Sequence, residues 1–161
     1  METAIDYLLW FTAISVGIMA GVYFTFSVFV MKSLDEIDAP AGMLAMQSIN
    51  RVIVKSLFLP IFFGSSLSAV ALVVLAIIEP SSPGARWMLI GSALYVAGMF
   101  IVTVAGNVPL NNRLEATDAK GPDGAAMWKL YLDKWTTWNH VRTLACTASL
   151  ALLILAIGER I

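Results

Sequence analysis

Four long apolar runs dominate the sequence and restrict it to a membrane-spanning fold. They cover about residues 7–31, 52–78, 87–106 and 140–157. A helix needs about 20 apolar residues to cross ~30 Å of hydrocarbon, and helices are required because no water there can pair with backbone groups. The short alternating runs of a lipid-facing barrel are absent. The sequence therefore predicts an all-α, four-helix transmembrane bundle, with residues 1–161 forming a single integral membrane domain.

Composition and charge support a protein of the lipid bilayer. Hydrophobic residues make up 59% of the chain and charged residues only 13%, against about 25% charged residues in soluble domains. The net charge of −1 leaves no basic surface for nucleic acid. No acidic residue or lysine lies deep in any run, which argues against an ion-coupled transporter. The N-terminus lacks the Lys or Arg of a secretory signal, so we expect the first run to remain in the mature protein.

The three connections between the runs differ in length and character. Segment 79–86 carries two prolines and a glycine, which predicts a tight turn and an antiparallel hairpin of runs two and three. In segment 32–51, apolar residues at helical spacing from Pro40 to Val52 predict a short amphipathic helix at the interface. Segment 107–139 contains a turn at 121–124 followed by a helix over 125–138 that continues into the fourth span.

The distribution of lysine and arginine predicts the orientation of the bundle. Two basic residues, Arg86 and Arg160, lie on the side of the short turn and the termini. The other side carries eight: Lys32, Arg51, Lys55, Arg113, Lys120, Lys129, Lys134 and Arg142. Since cytoplasmic loops are enriched in lysine and arginine, we expect the long connections in the cytoplasm and both termini outside, in a bacterial cytoplasmic membrane.

Small residues within the runs predict close helix packing. Gly17 and Gly21 form a G-x-x-x-G pair, and Gly91 and Gly98 lie on nearly one face of the third run. Such faces allow helix backbones to approach closely. They predict packing within the bundle, with a homo-oligomer as the alternative. Cys146 is the only cysteine, so neither an intrachain disulfide nor a cysteine-based metal cluster can form.

Polar and aromatic side chains concentrate at one end of the predicted bundle. On a helix of about 100° per residue, one continuous stripe of side chains runs along the fourth run and the residues just before it, with Trp138 at the margin of the stripe. The only histidine, His140, lies about 160° away from Arg142 on the same helix, so the two should not face one pocket. The stripe comprises Trp128, Tyr131, Trp135, Asn139, Arg142 and Cys146.

Four motifs in this order resemble the anthrone oxygenase-like family of small four-span membrane proteins, many of whose bacterial members are known only as a domain of unknown function. The motifs are GVYFTFS at 21–27, MQSIN at 46–50, NVPLNN at 107–112 and WTTWNHVR at 135–142. Fungal relatives are described as oxidising an anthrone to an anthraquinone with molecular oxygen and no recognised cofactor. The resemblance thus implies an oxygenase with a hydrophobic aromatic substrate, no cofactor and no metal.

Such a reaction needs a base, donors for a developing oxyanion and a dry aromatic pocket. The hypothesis that follows from the resemblance makes His140 the base. A competing assignment keeps Arg142 and Asn139 in the site and makes His140 structural. The full set of expected catalytic residues is His140, Arg142, Asn107 and Asn139, and the expected substrate-binding residues are Trp138, Trp135, Tyr23, Asn111 and Asn112.

Two other functions are compatible with the same residues. A non-enzymatic membrane module that binds a lipid, a quinone or a partner subunit needs only the amide, guanidinium and aromatic groups. A haem protein could use His140 and Met99 as axial ligands, although the sequence offers one histidine and no carboxylate pair within the spans.

Overall fold

The computed structural model describes residues 2–161, which form helices and connecting turns with no strand among them. Four helices are long and apolar enough to cross a membrane: α1 (Glu2–Asp35), α3 (Phe58–Ile78), α4 (Ala85–Glu115) and α5 (Gly124–Gly158). Between α1 and α3 lies the short helix α2 (Ala39–Ile53), which has one apolar face. The predicted four-helix bundle with a short amphipathic helix in the first long connection is confirmed.

The helix ends differ from the predicted spans where helices continue into the connections. The second span was expected to begin at 52, but α2 occupies that region and a turn at 54–57 separates it from α3. The third span was expected to end at 106, but α4 continues to Glu115. Apolar runs mark only the part of a helix that lies in hydrocarbon, so hydropathy ended α4 too early. In the second run, hydropathy did not reveal the turn that separates α2 from α3. The helix expected over 125–138 is continuous with the fourth span, as α5.

Two of the long helices contain wider π-helical turns. They lie at Phe26–Val30 in α1 and at Val96–Ile101 and Thr103–Asn107 in α4. Pro109 follows the last of these, and its ring would crowd the carbonyl of the preceding turn in a regular α-helix. The wider turn, closed by a bond from the Val108 N–H to the Thr103 carbonyl, precedes this proline, and the helix continues through it. Such π turns change the direction of the side chains and often mark functional sites.

Glycines in α4 allow α5 to pack directly against it. A Cβ atom on Gly98 would overlap the Cβ of Ala145, and one on Gly91 would lie 3.0 Å from the Cβ of Leu152. The predicted small-residue face of the third span is therefore covered by α5 of the same chain. On α1, by contrast, a Cβ on Gly21 would meet nothing within 4 Å in the described chain.

The end of the bundle that holds the chain termini is closed by ion pairs. Arg160 on the C-terminal residues donates to Asp6 of α1 at 2.6 Å. Glu159 accepts from Arg86 at 2.6 Å and from the indole of Trp87 at 2.8 Å. These hydrogen bonds lower the pKa of the Glu159 carboxyl group. The polar cluster predicted from the sequence lies at the other end.

Candidate functional site

A cavity of about 240 Å³ lies at that other end, with a mainly apolar lining contributed by all five helices. It is somewhat smaller than the ~300–1,000 Å³ usual for pockets that hold drug-sized ligands, so it suits a compact ligand of a few rings. Aromatic rings form much of its wall: Tyr23, Phe26, Phe58, Phe62, Phe63, Phe100 and Trp135.

Arg142 is the only charged residue of the cavity lining, and its charge is not neutralised by the protein. Its side chain is 4% exposed. Nη2 donates to Oδ1 of Asn139 at 2.7 Å and Nη1 to Oγ1 of Thr103 at 3.3 Å. Within residues 2–161, no carboxylate oxygen lies within 4.0 Å of the guanidinium. Arginine stays protonated in proteins, and an unpaired buried charge costs several kcal/mol. The arrangement therefore favours an anionic ligand.

Two aromatic rings lie close to the guanidinium. Its central carbon lies 4.2 Å from the ring centroid of Tyr23 and 5.1 Å from that of Trp135. Both distances are within the range of cation–π attraction, which is worth about 2 kcal/mol when desolvated. The rings attract the cation but provide no negative charge that would neutralise it.

Three buried donors of these same residues have no hydrogen-bond partner in the described part of the chain. They are the hydroxyl of Tyr23, Nε1 of Trp135 and Nε of Arg142. A buried polar group without a partner costs about 1–3 kcal/mol, and such groups are rare in native proteins. Because all three residues line the cavity, a bound ligand with acceptor oxygens is the simplest partner for them.

Asn139 positions Arg142 without lining the cavity itself. It is fully buried, and its Nδ2 donates to the Tyr23 carbonyl at 2.8 Å and to Oγ of Ser27 at 2.7 Å. Its Oδ1 accepts from Arg142. With donors and acceptor all engaged, the side chain ties α1 to α5 and fixes the guanidinium in one position.

The predicted stripe on α5 is buried along its whole length, from Trp128 to Cys146. Four of the predicted site residues line the cavity: Tyr23, Asn111, Trp135 and Arg142. Asn107 is buried behind the wall, where its Nδ2 donates to the Trp135 carbonyl at 3.2 Å.

The three remaining predicted site residues are exposed and lie away from the cavity. Asn112 and His140 are exposed, and Trp138 is 42% exposed and packs over Gly106. None of them belongs to the cavity lining. His140 and Arg142 thus lie on different sides of α5, as their helical spacing predicted. This arrangement does not support a base role for His140. Met99, the other haem ligand considered, is fully buried in the core.

Two polar residues that line the cavity, Thr103 and Asn50, were not among the predicted site residues. Thr103 binds Arg142, and Asn50 donates to the hydroxyl of Tyr131 at 3.4 Å. The same hydroxyl donates to Oδ1 of Asn111 at 2.8 Å. Asn50 belongs to the MQSIN motif and Thr103 to the third apolar run, but only helix packing shows that they converge.

Fold and site together define a membrane-embedded helical bundle with an aromatic cavity and a buried, uncompensated cation. The sequence profile of the anthrone oxygenase family matches residues 52–152, well over half of the 161-residue chain. The chain therefore belongs to the anthrone oxygenase family. A search of curated proteins and a search of solved structures each returned no significant match. The matched region includes Thr103, Trp135 and Arg142, whereas Tyr23 precedes it.

Proposed function

We propose that this protein is a cofactor-independent oxygenase that binds a hydrophobic, anthrone-like aromatic compound as its anion and exposes it to molecular oxygen. The observation that carries the proposal is Arg142, a buried cation that faces an aromatic cavity and has no counter-ion in the described chain. An enolate or phenolate oxygen is the complementary group, and its hydrocarbon rings suit the apolar wall.

The cavity lining contains neither a carboxylate nor an imidazole. In this proposal, Arg142 makes the bound anthrone more acidic, so that no positioned base is needed. The anthrone CH₂ group gives up one proton to water as the molecule binds, because the guanidinium stabilises the resulting enolate oxygen. The hydroxyl of Tyr23 and Nε1 of Trp135, which have no partner in the described chain, belong to residues of the same cavity lining.

The electron-rich enolate then reacts with oxygen without a cofactor. Its ring carbon passes one electron to O₂, and the two radicals combine to form a C–O bond and a peroxide. Loss of the second C–H proton and cleavage of the O–O bond leave a carbonyl group and release water. The sum is anthrone plus O₂ giving anthraquinone plus H₂O, with O₂ as the only oxidant.

The site belongs, in this proposal, to the cytoplasmic end of the bundle in a bacterial cytoplasmic membrane, with both termini outside. Support comes from the eight basic residues on the side of the long connections against two on the other side. Arg51 and Arg113 of this set are exposed at the cavity end of the helices.

Oxygen uptake by the purified protein with emodin anthrone tests the proposed function. We expect uptake above the uncatalysed rate, with formation of emodin. Arg142→Gln should lower the rate about 10- to 100-fold, since hydrogen bonds to charged groups are worth about 1.5–3 kcal/mol. Arg113→Gln, an exposed arginine at the same end, is the matched control and should retain the rate. Wild-type protein that binds emodin without consuming oxygen would instead support a binding module for a lipid, a quinone or a partner.

A further inference from the structure

The cavity wall is closed on one side and open on the other. The rings that contact the guanidinium are buried, with Tyr23 2% and Trp135 5% exposed. Four lining residues are large and exposed: Val54 at 51% in the turn before α3, and, on α3 and α4, Phe63 at 49%, Val104 at 52% and Val108 at 39%. Because the three residues on α3 and α4 both line the cavity and are exposed, the cavity reaches the surface between these two helices.

The opening has a local structural origin. Helix α3 begins only at Phe58, after the turn at 54–57, whereas α4 continues through its π-helical segment to Glu115. Val104 lies in that segment and Val108 directly follows it. The opening is thus between the first turns of α3 and the π-helical part of α4.

This surface belongs to two helices of membrane-spanning length and composition. We propose that the ligand of the Arg142 cavity enters sideways from the bilayer, through a mouth formed by Phe63, Val104 and Val108. The chemical class of the ligand, a neutral aromatic compound dissolved in lipid that ionises at Arg142, rests on the proposed function.

The distribution of polarity along the cavity agrees with this direction of entry. The mouth is apolar, as hydrocarbon requires, whereas the cation lies at the inner wall. A compound with a single acidic oxygen would place that oxygen at Arg142 and its rings toward the lipid. The ring of Phe63 packs against Phe62 and Phe100, with centroids 5.3 and 6.5 Å apart, so this aromatic side chain forms one edge of the mouth.

Stopped-flow quenching of intrinsic tryptophan fluorescence by emodin, in liposomes that hold the intact protein, tests the route. Val104→Phe narrows the mouth, and Ile101→Phe is the matched control. Ile101 lies three residues earlier on α4, is 55% exposed and does not line the cavity. Phe63→Ala widens the mouth.

The width of the mouth should affect the rates of ligand entry and exit more than the binding affinity. We expect Val104→Phe to slow association and dissociation of emodin by about tenfold each, with less than a threefold change in affinity, and Phe63→Ala to accelerate both. Equal rates for the Val104→Phe and Ile101→Phe proteins, with binding intact, would overturn the lateral route and leave the proposed function standing. Binding with these rate changes but no oxygen uptake would retain the route and overturn the oxygenase. A wild-type protein that does not bind emodin would overturn both.

Discussion

The guanidinium of Arg142 donates through Nη2 to Oδ1 of Asn139 at 2.7 Å, one helical turn earlier on α5. The partner is a neutral amide, so the hydrogen bond fixes the position of the cation without neutralising it. A carboxylate at the same place would form a buried ion pair and leave little charge for a ligand. The positive charge thus remains available at the inner wall of the cavity.

Replacing the amide of Asn139 by a carboxylate should therefore distinguish its role in positioning Arg142 from the effect of neutralising the Arg142 charge. Asn139→Asp keeps an acceptor for Arg142 but adds a negative charge beside it. We expect the affinity for emodin, measured by fluorescence quenching at neutral pH, to fall at least about tenfold, since a competing ion pair is worth more than the ~1.4 kcal/mol of a tenfold change. Asn112→Asp, an exposed amide at the same end, should leave affinity unchanged. Unaltered affinity in a folded Asn139→Asp protein would argue against an anionic ligand.

His140 provides the test of the base role that the family resemblance suggested. Its side chain is exposed and does not line the cavity. We expect His140→Ala to retain oxygen uptake with emodin anthrone within about twofold, because acid–base catalysis is typically worth 10²–10⁴-fold where a residue supplies it. A loss of 100-fold or more, with unchanged thermal stability, would restore His140 to the mechanism.

Helix packing can be tested at two glycines with opposite surroundings. A Cβ at Gly98 overlaps that of Ala145 on α5, whereas a Cβ at Gly21 meets nothing within 4 Å in the described chain. We expect Gly98→Ala to lower the free energy of unfolding by about 1–3 kcal/mol, as overpacking usually does. Gly21→Ala should be neutral or slightly stabilising, because alanine favours helix over glycine. Thermal unfolding in detergent measures both, and equal midpoints for the two variants would contradict the packing described.

The ion pairs at the terminal end predict a pH dependence of stability. The hydrogen bonds from Arg86 and Trp87 lower the pKa of Glu159 in the folded protein. A carboxyl group of this kind stabilises the fold above its unfolded pKa, about 4.3, and this stabilisation is lost as the pH falls through the folded value. The unfolding midpoint should therefore drop less on acidification in Glu159→Gln than in the wild type.

The matched control for that experiment is Glu79→Gln. Glu79 begins the turn between α3 and α4, and its carboxylate forms no ion pair within 4.0 Å among residues 2–161. The unfolding midpoint of Glu79→Gln should drop on acidification as much as that of the wild type. If the midpoint of Glu159→Gln drops as much too, the contacts of Glu159 do not contribute measurably to stability.

Properties that depend on local periodicity followed from the sequence alone. The length and apolarity of four runs predicted four spanning helices, because the bilayer imposes both requirements. The 3.6-residue period of α5 predicted that Asn139 and Arg142 share a buried face and that His140 lies on another. The helix ends were predicted less well, since capping and continuation outside hydrocarbon leave no hydropathy signal.

The site itself was decided by the tertiary structure. Tyr23 and Arg142 come from opposite ends of the chain, and their contact depends on how α1 packs against α5. Thr103 reaches the guanidinium from a π-helical segment of α4 that no residue pattern indicated. Whether a polar side chain is hydrogen-bonded, exposed or buried without a partner depends on neighbours distant in sequence. The sequence by itself therefore determined the helices and their faces, and helix packing decided which faces enclose the cavity.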